Sequence, residues 1–355
     1  MPPVSPTQLV FDGHNDVLSK IFRSGGMSKA LSFVDGRDGA IDITKARVGG
    51  FAGGFFAVFV PSPADNLDWR NSERRKEAYD LPLAEPIDLE DATPVAICQI
   101  AILLELQRRG ALRVCRTVAE IRAAISGGVI AAIFHIEGAE VIDTNLETLD
   151  VLHAAGLRSI GPVWSRTNSF GHGVPFRFPS TPDTGMGLTD HGIRLVRRCS
   201  DLGIMVDLSH LNAAGFWDVA RYSDKPLVAT HSNAHALCPH SRNLTDDQLR
   251  AIADSDGMVG LNFAAAFLRE DGKTLPDVPL DTILRHLDHL MSILGEDRVG
   301  LGSDYDGALV PQDITTAADL PTLVGAMRDY GYDEALIGKI CRENWFRVLD
   351  LTWGS

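Results

Sequence analysis

The chain has 355 residues, of which 45% are hydrophobic and 23% charged, and its formal net charge is −14. This composition is that of a globular protein with a substantial core, so a chain that is disordered as a whole is excluded. The negative charge argues against a general polyanion binder, because phosphate backbones need clustered Lys and Arg, and no nucleic-acid partner is expected. The one dense basic run, ERRK at 73–76, stands among acidic residues and is interpreted as a solvated helix face.

Cysteine usage and the N-terminus bear on the compartment. The five cysteines are widely spaced and form no CxxC pair, which is typical of free thiols in a reducing environment. The opening residues MPPVSPTQLV lack the charged and apolar regions of a signal peptide, and no uncharged apolar run of about 18 residues occurs. We therefore expect a cytoplasmic protein with no membrane partner, unless a signal has been removed.

Eight short apolar runs follow one another along the chain, each nearly continuous, as strands buried on both faces should be. In chain order they are QLVFDGHND, GGFFAVFV, VIAAIFHIEG, LRSIGPVW, GIMVDLSH, PLVATHS, GMVGLNF and RVGLGSDYDG. Amphipathic stretches of helical period lie between most of them, at 145–156, 189–203 and 245–257, and each ends on glycine. Strand, helix, glycine and strand in this order indicate parallel βα units, and eight units predict an α/β fold, a (β/α)8 TIM barrel.

The domain organisation follows from this reading. Barrels of this kind commonly reach such a length as one unit, so we expect a single domain over 1–355. The largest departure is 61–94, rich in Pro and charge, which follows the second strand. On a barrel this insertion would lie on the C-terminal face, at the rim of the mouth.

The predicted strands end in ionisable side chains, which core strands otherwise have no reason to carry. In chain order these are His14 and Asp16 (first strand), Glu137 (third), His210 (fifth), His231 (sixth), and Asp304 and Asp306 (eighth). Any one alone would more often be a hydrogen-bonded structural residue or a helix N-cap. Because the same end of five strands carries a nitrogen or oxygen donor, the set together favours a divalent metal: zinc, or manganese or cobalt.

The number of donors points to two ions. His14, Asp16, Glu137, His210 and His231 are one or two more donors than a single tetrahedral site needs. Glu137 is the natural bridge, since its two oxygens stand on the strand between the other pairs. His14 and Asp16 are two residues apart, so on a strand their side chains would share a face.

Seven motifs follow one another along essentially the whole chain: DGHND (12–16), IEGAEVID (136–143), DLSH (207–210), THS (230–232), SRNLTDD (241–247), GLGSDYDG (300–307) and ENWFRVL (343–349). In this order they resemble the motifs of the membrane (renal) dipeptidase family of zinc peptidases. The resemblance implies an amidohydrolase-like barrel with two zinc ions per chain, commonly a homodimer. Lacking an anchor signal, the chain looks like the soluble bacterial relatives, which cleave dipeptides including those with a C-terminal D-residue.

The resemblance also implies roles for single residues. His14 and Asp16 would hold one zinc, His210 and His231 the other, and Glu137 would bridge them. Arg242 matches the arginine that clamps the substrate's terminal carboxylate, and Asp304 matches the catalytic acid/base.

The chain departs from the family pattern at two places. Trp164 stands where the renal enzyme carries a substrate-contacting histidine, and it is expected in the substrate site. His172 could reach the same space from its loop, or be a plain loop histidine. Phe267 falls where a tyrosine is expected near the carboxylate pocket.

Three further histidines have no assigned chemistry. His135 shares a strand face with Glu137, and it could touch the metals or pack below them. His235 and His240 flank the loop of Arg242 and are interpreted as structural.

The expected reaction is hydrolysis of a dipeptide. Two cations about 3.5–4 Å apart would lower the pKa of a bridging water, supply hydroxide and polarise the scissile carbonyl. Asp304 would take the water's proton and pass it to the leaving amine. Two alternatives stay open: an amidohydrolase acting on cyclic amides, lactones or organophosphates, and a non-catalytic metal- or peptide-binding barrel.

Overall fold

The computed structural model of the protein describes residues 8–62 and 72–354. Its strands are β1 (Val10–Asn15), β2 (Phe51–Phe59), β3 (Tyr79–Asp80), β4 (Leu112–Val114), β5 (Ile130–Glu137), β6 (Leu157–Gly161), β7 (Arg177–Phe178), β8 (Met205–Val206), β9 (Val228–Ala229), β10 (Met258–Asn262) and β11 (Val299–Gly302). Eight of them form the order β8-β6-β5-β2-β1-β11-β10-β9, with every neighbouring pair parallel. A bridge between Asp207 and Val228 joins the two ends of this sheet.

These eight strands are the eight predicted ones, and the predicted TIM barrel is confirmed. The sequence reading missed β4, which pairs in parallel with the first half of β5 from Leu112↔Ile130 to Val114↔Ala132. It also missed the small antiparallel pair of β3 and β7.

The described α-helices surround the barrel and connect its strands. They are α1 (Val17–Arg23), α2 (Ser32–Asp35), α3 (Ile43–Gly49), α4 (Leu89–Arg108), α5 (Val118–Ser126), α6 (Glu147–Ala155), α7 (Asp190–Leu202), α8 (Ala213–Tyr222), α9 (Asp246–Asp254), α10 (Ala265–Leu268), α11 (Leu280–Leu294), α12 (Leu320–Tyr330), α13 (Glu334–Gly338) and α14 (Asn344–Trp353). None of the helices described is both long enough and apolar enough to cross a bilayer.

The three predicted helices correspond to α6, α7 and α9. Thr245 caps α9 in a capping box with Gln248, as a threonine at an N-cap should. The helix stops at Asp254, three residues before the expected stop at Gly257. Asp256 adopts the left-handed conformation (φ 57°), and the Gly257 N–H then donates to the Ile252 carbonyl at 2.9 Å.

The lower barrel interior is filled by large apolar side chains. Phe11, Phe55 and Met258 point inward there, and Trp345 from α14 joins them, with its ring 5.1 Å from that of Phe55. The Trp345 indole N–H donates to the Leu301 carbonyl at 3.1 Å. This plug closes the bottom of the barrel, so the polar strand ends at the opposite end form the accessible face.

The predicted insertion at 61–94 lies partly outside the described residues, since 63–71 are not among them. Its last six residues belong to α4, which begins at Leu89. Between residues 63–71 and α4 lies β3, which pairs with β7. The strand β7 lies in the loop after the C-terminal end of β6. The described part of the segment therefore contacts, through β3, a loop on the C-terminal side of the barrel.

The solvated-face interpretation of 73–76 is wrong for one residue. Arg75 and Lys76 are exposed, as that interpretation requires. The guanidinium carbon of Arg74 instead lies 5.0 Å from the ring centroid of Phe176 and 5.4 Å from that of Phe267. Two aromatic rings, one in the loop before β7 and one in α10, offer this cation a contact that water does not.

Candidate metal centre and substrate pocket

The structure brings the five predicted ligand side chains together at the C-terminal ends of the barrel strands. His14 is the penultimate residue of β1 and Glu137 is the last of β5, while Asp16, His210 and His231 lie just beyond β1, β8 and β9. All five are buried, with at most 6% of any of them exposed. Buried charges of this kind need compensation from a partner or a metal.

The donor atoms form two overlapping groups. The Oε1 atom of Glu137 lies 3.1 Å from His210 Nε2, 3.5 Å from His231 Nε2 and 3.8 Å from His14 Nε2. His14 Nε2 in turn lies 3.4 Å from Asp16 Oδ2. Ligands about 2.0–2.1 Å from a tetrahedral zinc stand about 3.3 Å apart, so these spacings fit donors around shared cations. Glu137 belongs to both groups, one with His14 and Asp16 and one with His210 and His231.

Neighbouring hydroxyls orient two of the histidines. The Nδ1 atom of His210 lies 2.9 Å from Ser165 Oγ, and that of His231 lies 2.8 Å from Thr230 Oγ1. Each ring therefore presents its Nε2 atom to Glu137, as metal-binding histidines held by an outer partner do.

His14 has the clearest unsatisfied polar atoms of the site. Both of its ring nitrogens are buried, and neither has a hydrogen-bond partner among the described residues. Buried polar atoms are rarely left unpaired in a folded protein. Together with the nitrogen and oxygen donor set, these orphan atoms fit a site built for divalent cations.

A third group places Asp207 near His14 and His231. Its oxygens are already engaged: Oδ1 accepts the N–H groups of Ser209 and Thr230 at 3.0 and 2.9 Å, and Oδ2 accepts the Thr230 hydroxyl at 2.6 Å. Asp207 thus anchors the threonine that orients His231. The sequence reading missed this role, since Asp207 continues an apolar run and nothing local marks its partners.

The ionisable groups of the site shift one another's pKa values. Burial raises the pKa of Glu137 well above its ordinary value, partly opposed by His14. Burial alone would lower the pKa of His14. The Glu137 and Asp16 carboxylates more than offset this effect and raise the pKa to about 10. For His210 and His231 burial prevails, and their pKa values fall well below normal. Neutral imidazoles beside carboxylates are the forms of these side chains that bind a divalent cation.

Asp304 lies beside this group without belonging to any of its three donor sets. Its Oδ2 accepts a hydrogen bond from the Asn262 amide at 3.0 Å, a support that the sequence reading missed. Burial raises the pKa of Asp304 to about 6, and the nearby His14 cation opposes the rise. The carboxylate thus lies outside the three donor groups, with Asn262 as its hydrogen-bond partner.

The backbone around the site is held in an uncommon conformation. His210, Asp304 and Asp306 all adopt positive φ angles, of 70°, 57° and 70°. Such angles are uncommon outside glycine, and they cluster at functional sites, where the surrounding structure enforces them. The Asp306 side chain is held in addition by a buried ion pair, with Arg37 at 2.6 Å.

Arg242 lies between the metal-site group and a set of aromatic rings. Its terminal nitrogens donate to Ser232 Oγ at 2.8 Å and to the His231 carbonyl at 3.0 Å, while its buried Nε has no partner among the described residues. Burial lowers its pKa to about 10, so the guanidinium stays charged at neutral pH. Two of its five N–H groups are thus used by the protein, which leaves others for a ligand.

The expected substrate-site residues fall in different places. The Trp164 ring lies 5.8 Å from that of His210, and Phe176 packs against both, at 5.7 and 6.3 Å. His172 pairs with Thr167 at 3.3 Å, and no hydrogen bond or ring contact among the described residues joins it to the donor group. Geometry thus places Trp164 beside the donor group and His172 in its own loop.

The remaining histidines have identifiable contacts. His135 is fully buried under the site, with its Nδ1 2.9 Å from Ser159 Oγ and its ring 5.5 Å from that of His14. His240 Nδ1 accepts the backbone N–H of Arg242 at 3.0 Å, and His235 pairs with the Ser180 carbonyl at 2.8 Å. The last two contacts hold the loop that carries Arg242.

Fold and site together define a class: a metal-dependent hydrolase built on an amidohydrolase-like TIM barrel. An amidohydrolase of Pseudomonas aeruginosa shares this fold, with a TM-score of 0.74 at 22% identity over 98% of this chain and 97% of that one. The family model described as membrane dipeptidase, peptidase family M19, matches residues 3–352. The chain belongs to this family and is a metallo dipeptidase.

Two relatives are more similar to this chain than that amidohydrolase is. A metallo peptidase from Rhodobacter sphaeroides, solved with a phosphinate mimic of the dipeptide L-Ala-D-Ala, is 52% identical, with a TM-score of 0.96 over 98% of this chain and all of that one. An uncharacterized protein in the pqqA 5′ region of Klebsiella pneumoniae is 50% identical over 257 residues, which are 72% of this chain and 95% of that protein.

Proposed function

We propose that this metallo dipeptidase hydrolyses free dipeptides, including L-Xaa-D-Xaa dipeptides, at a site that holds two zinc ions per chain. The observation that carries the proposal is the position of Glu137, whose Oε1 atom lies within 3.8 Å of the donor nitrogens of all three histidines. One carboxylate shared by two donor groups is the arrangement that a pair of cations needs. His14 and Asp16 would hold one ion and His210 and His231 the other, with Glu137 bridging.

When bound, the two cations would activate a water molecule and polarise the scissile carbonyl. The protein's own contribution is proton transfer. Asp304 is ionised at neutral pH, is held by Asn262 and is not needed as a ligand. It would accept the proton of the attacking water and give it to the leaving amine, since a general base must reach both groups.

Recognition of the free C-terminus falls to Arg242. Its guanidinium is fixed by Ser232 and by the backbone of His231. Its position beside a metal-binding residue therefore does not depend on the substrate. A planar guanidinium with free N–H groups suits a carboxylate in bidentate fashion. Substrates would then be limited to those whose chain ends one residue after the cut.

The D-residue preference and the metal identity rest on indirect support. The Rhodobacter sphaeroides relative, 52% identical, holds a mimic of L-Ala-D-Ala. Histidine and carboxylate donors at near-tetrahedral spacing suit zinc. Trp164, next to His210, would line the substrate site from the other side, and the role of His172 there stays a prediction.

The assembly and the compartment also stay predictions. We expect one catalytic domain over the whole chain, with the 61–94 segment at its rim, working as a homodimer in the cytoplasm. The five cysteines are unpaired in the structure, as a reducing compartment favours.

The function is tested by a panel of L,L and L,D dipeptides and their C-terminal amides, with zinc-loaded protein. Free acids should be hydrolysed and amides should be poor substrates. Arg242→Ala should raise KM for the acids by a factor that corresponds to about 1.5–3 kcal/mol. Arg250→Ala, which removes an exposed arginine paired with Asp247, is the control and should change nothing. Equal turnover of acids and amides would instead support an amidohydrolase of other substrates.

A further inference from the structure

The proposed mechanism assigns no role to Arg74. Its guanidinium packs on the rings of Phe176 and Phe267, and its Nε atom is buried without a hydrogen-bond partner among the described residues. Its backbone carbonyl accepts the Thr274 N–H at 2.9 Å, so the residue is fixed to a second loop. An arginine held in this way is positioned rather than solvated.

The positive charge of Arg74 has no acidic partner among the described residues. Among the ion pairs of the part of the chain that the structure describes, none involves Arg74, although the protein carries 47 acidic residues against 33 basic ones. The neighbouring polar group is Tyr79, whose pKa burial raises to about 12 against the opposing Arg74 cation. Tyr79 donates its own hydroxyl proton to the Gly272 carbonyl at 2.7 Å, so it gives Arg74 no negative charge.

The rings under Arg74 adjoin the candidate metal centre. Phe176 lies 6.3 Å from the metal-site residue His210, and Phe176 and Phe267 stack on each other at 6.1 Å. The guanidinium carbon of Arg242 lies 5.8 Å from the Phe267 centroid, and that of Arg74 lies 5.4 Å from the same centroid. Two cations therefore face one aromatic ring at the place where the substrate's C-terminal residue would lie.

We propose that Arg74 is a specificity residue that binds a carboxylate on the side chain of the substrate's C-terminal residue. This inference rests on the proposed function, in which Arg242 takes the main-chain carboxylate of the same residue. A second guanidinium near Arg242, which forms no ion pair with any described residue, then favours Asp or Glu at that position over Asn or Gln. Charge-assisted hydrogen bonds of this kind are stronger than neutral ones. An amide side chain carries no charge and would form only the weaker kind.

The test compares substrates that differ only in this charge. Ala-Glu and Ala-Gln, each with a D- or an L-residue at the C-terminus, are offered to the zinc-loaded wild type, to Arg74→Met and to Arg75→Met. Methionine keeps an unbranched apolar side chain against the two rings, and exposed Arg75 is the matched neighbour. Metal content and thermal unfolding are measured for each variant, and Arg74→Gln serves if Arg74→Met does not fold.

In the wild type, kcat/KM should be higher for the Glu substrate than for the Gln substrate. Arg74→Met should lower the Glu/Gln ratio of kcat/KM by about tenfold or more and leave the Gln substrate nearly unchanged. Arg75→Met should keep the wild-type ratio. Equal losses on both substrates would make Arg74 a purely structural residue and overturn the inference, as would an unchanged ratio. A wild type that cleaves no dipeptide would refute the proposed function itself, and with it this inference.

Discussion

Replacing Asp304 with Asn separates the chemistry of the site from its assembly. The two side chains have the same size, and Asn tolerates the positive φ of 57° at this position nearly as well as Asp does. The Asn262 amide, 3.0 Å away, can donate to the new amide oxygen as it does to the carboxylate. Since Asp304 is in none of the three donor groups, the variant should fold and keep its metal ions.

What the variant loses is the base. The pKa of Asp304, raised to about 6 by burial, leaves a carboxylate at pH 7, and bound cations would hold it ionised more firmly. An amide accepts no proton, so kcat should fall by about 10²–10⁴, the usual share of a general acid–base group. The assay pairs dipeptide turnover with metal content by elemental analysis. If metal content fell in proportion to turnover, Asp304 would be a ligand, and His172 would be the next candidate for the proton transfer.

Two further predictions concern space and pH. A β-carbon at Gly307 would collide with the carboxylates of Asp16 and Asp304, so Gly307→Ala should lower both metal content and turnover, while Gly325→Ala, in open space on α12, should lower neither. Burial lowers the pKa of His286 to about 4, so the folded state binds fewer protons than the unfolded state between pH 6.5 and 4 and loses stability as the pH falls through that window. In urea unfolding, the stability advantage of the wild type over His286→Gln should therefore shrink by roughly 3 kcal/mol from pH 6.5 to pH 4, and a constant difference would contradict this.

The barrel and the donor group could be predicted because their signals are local. Each strand is an apolar run of its own, and each donor stands at the end of such a run, so parallel packing alone brings them together. His14 and Asp16 illustrate this: their side chains approach to 3.4 Å, although Asp16 lies just past the end of β1.

The outer supports could not be predicted, because they depend on pairs far apart in the chain. Asn262 reaches Asp304 across 42 residues, and Asp207 reaches Thr230 across 23. Arg74 was misread for the same reason: its local context is charged and polar, and the rings that hold it come from a distant loop and from α10. Loop geometry of this kind leaves no periodic pattern in a single sequence.

The measurement that tests the central claim most directly is the metal stoichiometry of the wild type and of Glu137→Gln. Both are purified, dialysed and titrated with zinc. Because Glu137 belongs to both donor groups, the wild type should hold two ions per chain, and the single change should weaken both ions together. Asp304→Asn, treated in the same way, should keep two ions. A wild type that holds one ion with no second site on titration, or a Glu137→Gln variant that loses only one of two, would contradict the shared-carboxylate centre.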